Sequence, residues 1–163
     1  MKQHEQQPEM VAGKERKLVG KKLKMSLVND RTMELWRSFM PERMKIPNRI
    51  SNELISMRVY LAPLIIENAE QEFEKWAAVE VLNFNKIPAG MESFVLHSGL
   101  YAVFHYKGLN TDSRIFIYIF KEWLPKSNYK LDERPHCEIL GDKYKNGDPE
   151  SEEEIWIPVI PKK

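Results

Sequence analysis

One carboxylate stands inside an otherwise apolar run: Glu138, in Pro135-His136-Cys137-Glu138-Ile139-Leu140. A charge in such a run is costly unless a partner meets it. Read as a strand, the run sends successive side chains to opposite faces. His136, Glu138 and Leu140 then share one face, and Cys137 and Ile139 the other. The run Ile155-Trp156-Ile157-Pro158-Val159-Ile160 reads as a last strand, with Trp156 and Ile160 on one face. If the two strands are neighbours, Glu138 and Trp156 are expected to line one surface. Tyr60, Trp76, Tyr101, Phe104 and Tyr106 would supply further aromatic walls. An acid among aromatic faces suits a lipophilic cation, through charge pairing and cation–π attraction. The competing reading closes Glu138 with Arg58 or Arg134 in an internal salt bridge and leaves the rings as core.

Other chemistry has thinner support. His4, His97, His105 and His136 are scattered, and the sole cysteine, Cys137, lies beside His136. Neighbouring strand residues point apart, so neither a metal site nor a cofactor is expected. There is no glycine-rich phosphate loop and no nucleophile elbow. A glutamate in a hydrophobic pocket can act as a general base on water, because burial raises its pKa. That keeps a hydrolase, with Glu138 as its catalytic residue, as a second hypothesis.

The chain has 163 residues, enough for one domain with a real core, and 42% are apolar, which excludes a disordered chain. With 25 Lys and Arg against 24 Asp and Glu, the formal net charge of +1 gives no overall drive toward nucleic acid. Basic residues do gather at Lys14, Arg16, Lys17, Lys21, Lys22 and Lys24. Such a run reads as a solvated first strand more readily than as a binding patch. One cysteine allows no intramolecular disulfide, which fits a cytoplasmic setting. No stretch is long and apolar enough to span a bilayer, and the first ten residues have no secretory core. Residues 1–16 are expected to be a flexible tail and residues 17–163 the domain.

Periodicity gives the elements. Strands are expected at 18–28, 54–62, 94–96, 101–106, 135–140 and 155–160, and in the second half of 73–84, whose first half also permits a helix. Pro158 suggests an edge position for the last strand. One helix is capped by Asn29 or Asp30 and ended by Pro41. A second is capped by Thr111 or Asp112 and ended by Pro125. Residues 148–154 are expected to form an acidic loop, the docking surface a protein partner would use. The helices repeat: Leu35-Trp36-Arg37-Ser38-Phe39-Met40-Pro41 aligns with Ile119-Phe120-Lys121-Glu122-Trp123-Leu124-Pro125, 84 residues later. Each helix follows a strand and precedes two more, so the chain reads as a duplicated β-α-β-β unit. The fold class is α+β: an antiparallel sheet with helices on one face and a cleft at the pseudo-twofold seam.

Three ordered motifs carry a resemblance. Glu122-Trp123-Leu124-Pro125-Lys126-Ser127-Asn128-Tyr129, then Asp132-Glu133-Arg134-Pro135-His136-Cys137-Glu138-Ile139, then Glu154-Ile155-Trp156-Ile157-Pro158-Val159 resemble the effector-binding domain of AraC-type transcription regulators, also known as the gyrase-inhibitor-like small-molecule-binding family. Leu18-Val19-Gly20 and the first helix agree with its first half. The resemblance covers residues 15–163. It implies a cleft between the two halves that takes hydrophobic, often cationic, compounds, with Glu138 matching a recurring pocket glutamate. Some standalone members resemble hydrolases of reactive toxins; others are associated with gyrase. Cys137 departs from the pattern, standing where an aromatic is usual. Residues 1–16 are too few for a helix-turn-helix, so direct DNA binding is not expected. The leading expectation is a standalone small-molecule-binding module. Its ligand-binding residues would be Glu138, Trp156, Tyr101, Phe104, Tyr60 and Trp76. Its relatives are the ligand-sensing domains of regulators, and the alternatives are a hydrolase or a gyrase-interacting protein.

Overall fold

The structure, a computed structural model, describes residues 6–163. The strands are β1 (Glu9–Gly13), β2 (Arg16–Met25), β3 (Leu54–Tyr60), β4 (Phe73–Val81), β5 (Glu92–Leu96), β6 (Gly99–Lys107), β7 (Tyr129–Leu131), β8 (His136–Leu140) and β9 (Glu152–Pro161). All pairings are antiparallel, in the order β1-β6-β9-β8-β3-β4-β2-β5, with β7 added on β9. The helices are α1 (Thr32–Phe39) and α2 (Arg114–Tyr118). No helix among the described residues is long and apolar enough to cross a membrane.

The duplication is built into the register. The halves β2-α1-β3-β4 and β6-α2-β8-β9 meet where β3 pairs β8. Ile55 faces Ile139, two positions 84 residues apart, so the pseudo-twofold passes between them. The helices cover one face of the sheet, each over its own half. Leu35 and Phe39 of α1 pack on Val19, Ala77, Val79 and Val81. Ile115, Ile119 and Trp123 pack on Ala102, Phe104, Ile155, Ile157 and Val159. Neither helix covers β3 and β8, so a groove runs along the seam. On the far face Leu18, Ile55, Met57, Trp76, Cys137 and Ile139 make a third core.

Several boundaries differ from the sequence reading, each for a physical reason. Residues 9–13, assigned to the tail, form β1 and pair with Val103 to Gly99 of β6. Met10, Val11 and Ala12 make an apolar run of only three residues with no alternation, too little to signal a strand alone. The tail expectation for residues 1–5, and His4 with it, lies outside the described residues. All of 73–81 is strand, because Ala77 and Ala78 are fully buried on opposite faces of an interior strand. Pro41 and Pro125 do not end the helical path. Each sits in the first turn of a new one, Met40–Lys45 and Leu124–Lys126, where a missing N–H costs nothing. Between α2 and Leu124–Lys126 the backbone widens into a π turn, Ile119–Trp123. The last strand is interior, between β6 and β8. Pro158 is tolerated because it falls between the ladder to β8 and the ladder to β7, and neither calls on its N–H.

Of the glycines in the chain, Gly20 is the one most tightly met by its neighbours. A Cβ there would lie 2.1 Å from the Ala77 carbonyl oxygen and 2.7 Å from the Ala78 Cα. Both are backbone atoms of the paired strand and cannot swing away. Gly20→Ala should therefore lower stability by about 1–3 kcal/mol, read by denaturant unfolding; an unchanged midpoint would show that β2 and β4 can part freely.

Candidate functional site

The groove floor follows from strand register. Three rows cross the helix-covered face. One runs Lys75, Arg58, His136 and Ile157. The next runs Ala77, Ser56, Glu138, Ile155 and Phe104. The third runs Val79, Leu54 and Leu140, continuing to Glu153 and Tyr106. Ser56 is the small residue beside Glu138, and it leaves room. Phe116 of α2 and Phe120 of the π turn lean over from one side. With Ser56, Arg58, Tyr60, His136 and Glu138 they enclose a slot of about 30 Å³, room for a water or two. Beyond it an outer cleft of about 460 Å³ is lined by Leu61, Pro63, Leu64, Leu131, Asp132 and Glu133. That is the size of a small-molecule site. Tyr60 and His136 line both spaces. They touch edge to face at 5.1 Å, and Phe120 stacks on His136 at 5.9 Å. Tyr60 and His136 thus divide the cleft from the acid, with Phe120 backing His136 on the slot side.

The floor carries unusual charge. Lys75 and Glu153 are each only 7% exposed. Arg58 and Lys75 are paired across β3 and β4, a like-charge juxtaposition that is unfavourable by itself. Burial and then Arg58 push the Lys75 ammonium down from its usual value, while Glu138, Asp30 and Glu153 act the other way. Burial, then the charge of Glu138 and a hydrogen bond with it, push the Glu153 carboxyl up to about 9. Burial and then Arg58 push His136 down to about 3, so its ring is neutral. Tyr144, in the loop after β8, is pushed up to about 12 by burial and then by Glu153 and Glu138. Among the described residues no Arg or Lys forms an ion pair with Glu138. Arg134 is committed to Asp132 at 2.6 Å and to the Leu100 carbonyl at 2.6 Å. Arg58 stands over the Phe73 ring at 4.9 Å.

Of the residues singled out from sequence, Glu138 and Tyr60 meet at this groove. Phe104 lies on the same face but is fully buried under Trp123, 5.2 Å away. Trp156, Tyr101 and Trp76 are not brought to Glu138. The register sets Trp156 opposite Cys137, and Glu138 opposite Ile155, so Trp156 belongs to the far face. The expected shared surface fails by one residue of register, the shift that exchanges sheet faces. On that far face the rings already have cations. Arg16 stands over Trp156 at 5.0 Å, Arg134 over Tyr101 at 4.5 Å, and Lys22 over Trp76 at 5.5 Å. Cys137 is buried there, its thiol pushed up to about 12 chiefly by that burial. Lys75, Arg58, Glu153, Phe116 and Phe120 were missed as site residues. A lysine two positions before Ala77 in an interior strand was the available signal for Lys75.

The two surface features read from sequence are largely satisfied internally. Arg16 pairs with Glu80, Lys22 with Glu74 and Glu92, and Lys24 with Glu72. The acidic loop is shorter than expected, since Glu152, Glu153 and Glu154 belong to β9. Glu150 is held by Lys107 and Glu152 by His105. No group of three or more His, Cys, Asp or Glu among the described residues is placed to hold a metal ion.

Comparison with known proteins places this architecture. The model of the Cass2 family, described as integron-associated effector binding protein, matches residues 5–159. No curated protein sequence matches the chain. Among solved structures, the EcmrR C-terminal domain is similar with a TM-score of 0.72 at 17% identity, covering 96% of this chain and 98% of that one. SAV2435 bound to tetraphenylphosphonium gives 0.65 at 16% identity, covering 95% and 94%. An integron cassette protein from the mobile metagenome of Vibrio cholerae gives 0.65 at 13%, covering 95% and 97%. These likenesses establish the shared α+β fold. The family match covers nearly the whole chain: it belongs to the Cass2 integron-associated effector-binding family.

The Glu153 carboxyl gives a pH signature. Its value is raised in the fold, so the stability it contributes is full below the ordinary 4.5 and is lost as pH climbs toward about 9. The slope is at most about 1.4 kcal/mol per pH unit. Glu153→Gln keeps the neutral form at every pH. Thermal melts should find it more stable than the parent at pH 8, with the gain shrinking toward pH 5. An equal difference at both pH values would show that Glu153 is ionised throughout.

Proposed function

We propose that this effector-binding protein takes a hydrophobic cation into the groove between its halves. The apolar body would occupy the outer cleft, and the positive centre would approach Glu138 once the Tyr60, His136 and Phe120 rings part. The observation that carries this reading is Glu138 itself: an acid on the floor of an aromatic-walled slot, to which no Arg or Lys among the described residues is ion-paired. The 460 Å³ of the cleft, against 30 Å³ for the slot, supports a guest that opens its own way to the acid. The bound tetraphenylphosphonium of SAV2435, a protein of the same fold, supports the choice of a lipophilic cation as probe.

The test is titration of the protein with tetraphenylphosphonium. Glu138→Gln should weaken binding more than tenfold, about 1.4 kcal/mol or more; equal affinities would remove the charge argument. Arg58 supplies the opposite check. Its guanidinium lines the slot and repels a cation, so Arg58→Met should tighten the same probe several-fold. Weaker binding of the probe by that variant would show that Arg58 does not oppose the bound cation, and would count against the charge argument.

A further inference from the structure

Behind Glu138 the groove holds a second acid. Glu153 lies on β9 two residues from Ile155, the register partner of Glu138, so it is the diagonal neighbour on the same face. It is 7% exposed, and Glu138 stands close enough for its charge and hydrogen bonding to raise the Glu153 carboxyl. Two carboxyl groups set side by side, one buried and one half-buried, are held together best by a proton between them, since two bare carboxylates repel and neither can donate. Glu153 does not line the slot, so a guest meets Glu138 first.

We infer that Glu138 and Glu153 share one proton, and that a guest cation and this proton compete for the pair, Glu153 acting as the positioning residue that makes binding pH-dependent. The inference rests on the cation reading above. As the positive centre nears Glu138, its field favours the second carboxylate, and the shared proton passes to solvent. Without Glu153 the cation would meet Glu138 alone, with no second acid beside it to hold a proton. With it, the groove is a stronger cation site at high pH than at low pH. By linkage, bound cation must likewise lower the proton affinity of the pair.

Other groups facing the pair are few and separable. Ser56 of β3 does not titrate in this range. Arg58 keeps its charge. His136 of β8 is pushed down to about 3 and Tyr144 up to about 12. Tyr106 of β6 lies opposite Glu153 and is raised, chiefly by burial. Asp30, before α1, is lowered despite its burial by hydrogen bonds from Thr32. Phe116 and Phe120 bring no charge. Lys75 of β4 is the one competitor, since its value is lowered and loss of its charge would also favour a cation.

Tetraphenylphosphonium affinity measured from pH 6 to pH 9 tests the exchange. The parent should bind about tenfold tighter at pH 9 than at pH 7. Glu153→Gln should bind with nearly constant affinity across the range, and Lys75→Met should keep the slope. A flat parent profile overturns the proposal. So does a slope that survives Glu153→Gln and vanishes in Lys75→Met, which would assign the proton to Lys75. Infrared spectroscopy reads the pair without any ligand. A protonated-carboxyl band at pH 7 that is absent in Glu153→Gln supports the shared proton; no such band overturns it. If the probe binds at no pH while the band is present, the cation reading of the groove fails and the proton-sharing pair stands.

Discussion

A six-strand span carries only two helices, and each sits over the outer strands of its own half. The two central strands, β3 and β8, are left bare on that face. Hydrocarbon there would be an exposed apolar strip, so the sequence places Ser56, Arg58, His136 and Glu138 along the seam instead. Everything distinctive about the groove follows from this gap in coverage. The far face has no such gap, and it is filled by rings and aliphatic side chains in the usual way.

The gap also explains how charges survive there. Buried charges persist when opposite signs and hydrogen bonds surround them. Lys75 has Glu138, Asp30 and Glu153 near it; Glu153 has its hydrogen bond to Glu138. These neighbours are in contact, so the energetic effects of substituting them need not simply add. The family's effector-binding role fits a floor of this kind, polar and recessed beneath aromatic side chains.

Much of this was legible in the chain. The repeat of Leu35 to Pro41 at 119–125 gave the duplication, and the structure realises it as Ile55 facing Ile139. Glu138 stood out because an acid in PHCEIL violates its own pattern. Its surroundings were harder to read. Which residue of β9 faces Glu138 depends on register between strands separated by a loop, and no local pattern fixes that. One step of pairing moved Trp156 to the back and brought Ile155 to the front. Lys75 and Arg58 look like ordinary surface cations in sequence; only the pairing of β3 with β4 on one side and β8 on the other shows them enclosed. The strand at Glu9–Gly13 is invisible alone because its support comes from β6, some ninety residues away.

The placement of the indoles has a practical side. The chain has 4 tryptophans, and none lines the groove or its outer cleft. Trp76 and Trp156 sit behind the sheet under Lys22 and Arg16, Trp123 beneath α2 in its own core, and Trp36 beside Phe39. Intrinsic emission is thus a gauge of whether the molecule is folded, and a poor witness to occupancy. A visitor to the seam has to bring its own chromophore to be seen.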